Sequence, residues 1–180
     1  MCSSDLVAKF TTEGYDFEVV YQVDTSRFAG SNYGLFTFRL LGNKLEDLTF
    51  INLPGAAPDE DLGQGPIDGE SEAPEWQAVF DLGWERGPFL VSYEFSWFDE
   101  TARYSPETVA GEPDIADSRY LEFSAHEVHD LYARYSLDDG LSLYAGINNV
   151  TDEQPDIGMT YYPVSAVGRF FYAGLTWAAE

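Results

Sequence analysis

Basic residues are scarce: Lys and Arg number 9 against 32 Asp and Glu, for a formal net charge of -23. Nucleic-acid binding is built on Lys and Arg contacts to phosphate, so this balance argues against a nucleic-acid partner. It equally argues against a polybasic patch docked on anionic lipid. Cysteine occurs once, at Cys2, so no internal disulfide forms. No apolar run approaches the roughly 18 residues that a membrane helix needs. That removes helical spans only, because a membrane strand needs about 9–11 residues with one apolar face. The two histidines, His126 and His129, have no cysteine or third histidine near them, which disfavours zinc. Three positions apart, they fall on opposite faces of a regular strand. No Ser-His-Asp grouping, Gly-rich phosphate loop or paired-carboxylate signature stands out, so the reading expects no enzyme, no catalytic residue, no metal and no cofactor.

What is present is apolar and aromatic. Hydrophobic residues make up 44% of the chain and aromatic residues 16%. Acidity produces disorder only when hydrophobicity is also low, so this chain has apolar surface to bury. The dominant period is two. In 15–24, Tyr15, Phe17, Val19, Tyr21 and Val23 alternate with largely polar neighbours. In 75–85, Trp76, Ala78, Phe80, Leu82 and Trp84 share one face, with Gln77, Asp81 and Glu85 opposite. In 88–98, Phe89, Val91, Tyr93, Phe95 and Trp97 alternate with Leu90, Ser92, Glu94, Ser96 and Phe98. Alternation of this kind predicts strands with one apolar and one polar face. Further strands are expected over 33–42 (extending towards Leu53), 121–137, 141–149 and 169–179. The total is about seven strands and no helix.

The predicted connections alternate in length. Short ones fall at 85–88 and 138–140, where Asp139 and Gly140 form a tight-turn pair, and a medium one at 25–32. Long ones, rich in Pro, Gly, Asp and Glu, fall at 54–73, 101–118 and 151–167. Short turns at one end and long loops at the other are the habit of an outer-membrane barrel. Trp76 with Trp84, and Phe89 with Trp97, bracket the apolar faces of their strands, as interfacial aromatic girdles do. A soluble β-sandwich binding module also has alternating strands and aromatic residues in its core, and the pattern leaves it open.

The last third carries a more specific signal. Asp130, Tyr132, Arg134 and Tyr144 lead into Gly146, Ile147, Asn148, Asn149, Val150, Thr151, Asp152 and, after two residues, Pro155. Gly168, Arg169, Phe170, Phe171 and Tyr172 follow beyond the long loop. Over about 129–177 the chain resembles the end of TonB-dependent receptors. In that family a Gly-Val-x-Asn-Leu-Phe-Asp-x-x-Pro strand end precedes the last long loop, and a Gly-Arg-x-aromatic strand closes the barrel. The resemblance implies an all-β, antiparallel up-and-down fold: the C-terminal part, about seven strands, of a 22-stranded transmembrane barrel. It implies a bacterial outer-membrane importer of a scarce nutrient of the ferric siderophore, cobalamin or oligosaccharide type. The implied partners are the receptor's own N-terminal plug, the TonB complex, outer-membrane lipid and the extracellular ligand. A plugless porin-like barrel is the alternative transporter.

On this reading residues 7–180 are barrel and the plug is absent from the chain. Residues 1–6 are expected to be a non-native leader read from a sequencing adapter. Asp81, Ser92, Glu94, Ser96, Asp130, Tyr132, Arg134 and Tyr144 are expected to face the lumen or the plug. Asn148, Asn149, Asp152, Pro155, Gly168 and Arg169 are expected to shape the strand–loop junction, since short polar side chains there bond local backbone. Arg169 is further expected to ion-pair or sit at the rim. Aligning Trp177 with the family's penultimate outward aromatic places Ala179 where the family has a final aromatic. The carboxylates of Asp59, Glu60, Asp61, Asp68, Glu70 and Glu72 are expected to form a solvated loop, with spacing that does not fit an EF-hand.

Overall fold

The structure, a computed structural model, describes residues 9–28, 30, 32–65, 74–137, 140–159 and 162–178. Residues 1–6, Asp68, Glu70, Glu72, Asp138, Asp139, Ala179 and Glu180 therefore lie outside the described residues. The described elements are β1 (Lys9–Asp24), β2 (Leu35–Ile51), β3 (Asp59–Glu60), β4 (Trp76–Arg86), β5 (Phe89–Phe98), β6 (Thr101–Ala102), a short helix α1 (Pro106–Gly111), β7 (Glu122–Phe123), β8 (His126–Ser136), β9 (Leu141–Asn148) and β10 (Phe170–Trp177). Seven long strands form one antiparallel sheet in the order β1-β2-β4-β5-β8-β9-β10, with β3 added alongside β2. Apart from the small insertions, each strand pairs with the next in sequence, an up-and-down meander.

The strands agree closely with the period-two segments, and the departures have local causes. β2 reaches Ile51, in line with the extension expected towards Leu53, and its end pairs with β3 through Thr49 with Glu60 and Phe50 with Asp59. The single strand expected over 121–137 is two: β7 pairs with β6, and β8 starts afresh at His126. The absence of helix is also corrected. Ser105 caps α1 by accepting from the Thr108 amide, and Pro106 occupies the first turn, where its missing N–H costs nothing. Alternation cannot reveal a six-residue helix inside a loop.

By spatial proximity the chain divides into two compact units. One draws on residues up to 16, 43–77 and 98–125; the other comprises 17–42, 78–97 and 126–180. Within the first, the long segments after β2 and β5 are knitted together. The Gly65 amide donates to the Ala102 carbonyl at 2.7 Å, and the Ala102 amide to the Gly63 carbonyl at 2.7 Å. Leu48 and Phe123 are buried there, and the Arg103 guanidinium lies 4.1 Å from the Phe123 ring centre. Asp61 is 1% exposed, so it is not part of a solvated acidic loop. Its amide bonds the Leu48 carbonyl, which folds its segment back on β2. Further along, Asp117 caps a 3-10 turn, and the hydrogen bond from the Arg119 side chain holds its carboxyl below the usual carboxylate range.

The second unit contains the tight turns. Gly87 adopts φ +57° between β4 and β5, and Gly140 adopts φ +74° between β8 and β9, a region open to glycine at little cost. The medium connection after β1 is a 3-10 turn capped by Asp24, closed by the Thr25 amide donating to the Gly34 carbonyl.

Candidate functional site: a two-faced strand wall

Directly paired residues in a sheet point to the same side, so register defines each face. Between β8, β9 and β10 one set of rows reads Leu131–Ile147–Phe171, Ala133–Ala145–Ala173 and Tyr135–Leu143–Leu175. Every member is apolar apart from the Tyr135 hydroxyl. Alternate rows read Tyr132–Gly146–Tyr172, Arg134–Tyr144–Gly174 and Ser136–Ser142–Thr176. The same division continues across β5, where Phe89 meets Tyr135 at a ring separation of 4.7 Å. At the other end of the sheet Tyr21 meets Phe38 at 6.5 Å on the apolar side.

The apolar face is not packed against protein. Phe171 and Leu175 are each 64% exposed, and Leu131, Tyr135 and Leu143 are also exposed. A water-soluble sandwich would bury these rows under a second sheet. Among the described residues the only other sheet is the two-residue β6–β7 pair. The aromatic residues at the strand ends keep polar handles: Trp84 Nε1 donates to the Tyr33 carbonyl at 2.8 Å, and the Lys44 ammonium lies 5.5 Å from the Trp76 ring centre. An apolar ring with a satisfied polar edge suits a membrane–water boundary.

The polar face is acidic and cross-braced. Arg39 on β2 bonds Glu18 on β1 at 2.6 Å and reaches Asp81 on β4 at 3.5 Å. Asn43 donates to Asp16 at 2.7 Å, and Gln22 to Thr37 at 3.3 Å. Glu94 neighbours Asp81, Ser96 and Asp130. Ser92 shares this side with Glu94 by alternation. Tyr132 and Tyr144 lie 6.3 Å apart, and Tyr144 and Tyr172 6.5 Å apart. The Tyr172 ring covers Gly146 and the Tyr144 ring covers Gly174, where a Cβ atom would collide. Asp81, Ser92, Glu94, Ser96, Asp130, Tyr132, Arg134 and Tyr144 therefore all lie on the polar face.

The junction after β9 is a hydrogen-bonded knot. Asn149 adopts φ 53°, and its amide donates to Asp130 Oδ1 at 2.7 Å. Its side-chain Nδ2 donates to the Glu153 carbonyl at 2.8 Å, and its Oδ1 accepts from the Glu153 amide at 2.7 Å. Asp152, at φ 60°, accepts the Arg169 amide at 2.8 Å, which draws the two ends of the long loop together. Gly168, at φ 67°, leaves room for the Asp152 carboxylate. Asn148 pairs in register with Phe170. Pro155 is in the same loop and takes no part in these bonds. Arg169 joins the knot through its backbone, and its side chain is exposed. A cleft of about 420 Å³ lies beside this knot, walled by Val128, Asp130, Asn149, Pro163, Val164 and Phe170 among others.

Three contributors escaped the sequence reading. Arg39 was visible as a polar member of its strand, but its acidic partners lie on separate strands. Tyr172 was visible as a member of the closing-strand motif, but not as the ring that covers Gly146. His126 is 3% exposed, and its carboxylate partners lie 27 and 30 positions away. No local pattern announces such a pairing.

A sheet with one uncovered apolar face, one acidic face, aromatic ends and loops of unequal length defines a wall of a membrane β-barrel. The model of the TonB dependent receptor-like beta-barrel family matches residues 7–150, four fifths of the chain. The chain belongs to this family, whose members are receptors and transporters of the bacterial outer membrane. No curated protein and no solved structure matches the chain.

Proposed function

We propose that this chain supplies the C-terminal wall, long extracellular loops and closing strand of a TonB-dependent receptor that imports a scarce, bulky nutrient of the ferric siderophore, cobalamin or oligosaccharide type. The observation that carries the proposal is the division of β8, β9 and β10 into uncovered apolar rows and tyrosine- and carboxylate-bearing rows. In a barrel the first set faces hydrocarbon and the second faces the lumen.

The polar face then receives the receptor's own N-terminal plug. Asp81, Glu94 and Asp130 offer negative charge to it, and Tyr132, Tyr144 and Tyr172 offer flat rings. An acidic wall disfavours anionic ligands electrostatically, so neutral or metal-bearing nutrients fit better. The junction knot of Asn149, Asp152 and Gly168 has a structural role, fixing where the last loop leaves and rejoins the barrel.

Uptake by cells expressing the full-length receptor tests the proposal. Nutrient accumulation is expected to cease when TonB is deleted or the proton gradient is collapsed. Accumulation that continues unchanged without TonB would instead identify a plugless, passive pore.

A further inference from the structure

We propose that His126 is a pH-sensitive latch that holds the last long loop, through Glu153 and Asp156, against the start of β8. The His126 side chain is 4% exposed, so its ring nitrogens depend on protein partners. Nδ1 lies 2.8 Å from Glu153 Oε1, and Nε2 lies 3.0 Å from Asp156 Oδ2. A neutral imidazole has one N–H and one lone pair, whereas the protonated ring has two N–H groups. With both carboxylates ionised, both bonds exist together only when the ring carries its second proton. Each is then a charge-assisted bond, the stronger kind.

The loop's ends are tied by Asn149 to Glu153 and by Asp152 to the Arg169 amide. Between those ends, the buried His126 side chain grips the loop at Asp156, and the Met159 amide folds back onto the Asp156 carbonyl at 2.9 Å. Other titratable groups on the same strand and loop are turned away from the His126 ring. On the same strand, Asp130 accepts from the Asn149 amide, His129 bonds the Tyr93 hydroxyl at 2.7 Å, and Glu127 is exposed. In the loop, Asp152 is turned to the Arg169 amide.

The direction follows from the proton count. With the ring protonated and both carboxylates ionised, both bonds hold. Raising the pH removes the ring's second proton. One nitrogen then presents a lone pair to a carboxylate, and the grip becomes a repulsion. The loop is held in acid and loosened in alkali. That it opens towards the cell exterior rests on the function proposed above; the latch itself does not.

Amide hydrogen exchange on the full chain folded in detergent micelles, at pH 5.5 and 8.5 with intrinsic rates corrected, tests the latch. The amides of 153–159 are expected to lose at least about tenfold in protection at the higher pH, the scale of one charged hydrogen bond. His126→Gln is expected to remove this pH response, and His129→Gln to leave it intact. Should His126→Gln fail to fold, the paired variant Glu153→Gln and Asp156→Asn replaces it. Its amide groups satisfy a neutral ring, so the response is expected to flatten. Equal protection at both pH values in the unaltered chain overturns the latch, as does a response that survives either variant. A failed uptake experiment leaves this readout standing.

Discussion

The two faces of the β8–β10 sheet share one backbone and one set of ladder hydrogen bonds, yet follow opposite rules. On one face, rows such as Ala133–Ala145–Ala173 and Tyr135–Leu143–Leu175 carry no charged side chain and lie uncovered. On the other, tyrosine rings cover glycines, and Asp130 is spent on a loop amide. An uncovered apolar surface is a liability in water and an asset in lipid. The comparison teaches that solvent, more than strand pairing, selected the residues on each side.

The largest expected asymmetry comes from placing a charge on each face. Ala145→Arg, in the middle of the apolar face, is expected to cost about 2–4 kcal/mol in a bilayer, while Thr176→Arg on the polar face costs less than about 1 kcal/mol. Urea unfolding in lipid vesicles measures both. Equal costs would break the comparison.

Next in size is the polar face's own packing. Gly146→Ala pushes a methyl group into the Tyr172 ring, and overpacking of this kind costs about 1–3 kcal/mol. Adding Tyr172→Ala is expected to remove most of that penalty, so the double variant is less destabilised than the two single losses summed. The same unfolding assay reads the coupling.

The junction knot should be less costly to disturb but more local. Asn149→Ala loses two side-chain bonds and places alanine at a φ that asparagine tolerates better. A loss of about 1–2 kcal/mol is expected. Faster exchange should appear at the Glu153 amide before any change in β9. The smallest effect belongs to the exposed bridge across β1, β2 and β4. Arg39→Gln is expected to shift stability by less than about 1 kcal/mol, and less still in high salt.

The strands were legible because alternation is a local signal. Phe89 to Trp97 and Tyr15 to Val23 announced their faces without tertiary information, and the shared side of Asp81, Glu94 and Asp130 followed from the same rule. The loops were not legible in this way. Asp61 reads as one more solvated acid, yet its burial depends on Leu48 and on segments that return from elsewhere in the sequence. The break at Ser124 and Ala125 depends on β7 pairing with β6, which no periodicity records. His126 looked like a residue on a regular strand, because its partners are set by how the last loop folds back. Period-two reasoning captures what a residue faces when its neighbours are strands. It fails where long loops choose their own contacts.

The central claim is that the odd-numbered row of β10 meets lipid hydrocarbon. Spin labels placed singly at 171–176, in a Cys2→Ser background reconstituted in bilayers, test it by accessibility to oxygen and to a water-soluble nickel complex. The account predicts alternation, with labels at 171, 173 and 175 open to oxygen and closed to nickel, and those at 172, 174 and 176 without that oxygen preference. Labels at 171, 173 and 175 that are immobile and shielded from both reagents would place the row in a dry protein interior and contradict the account.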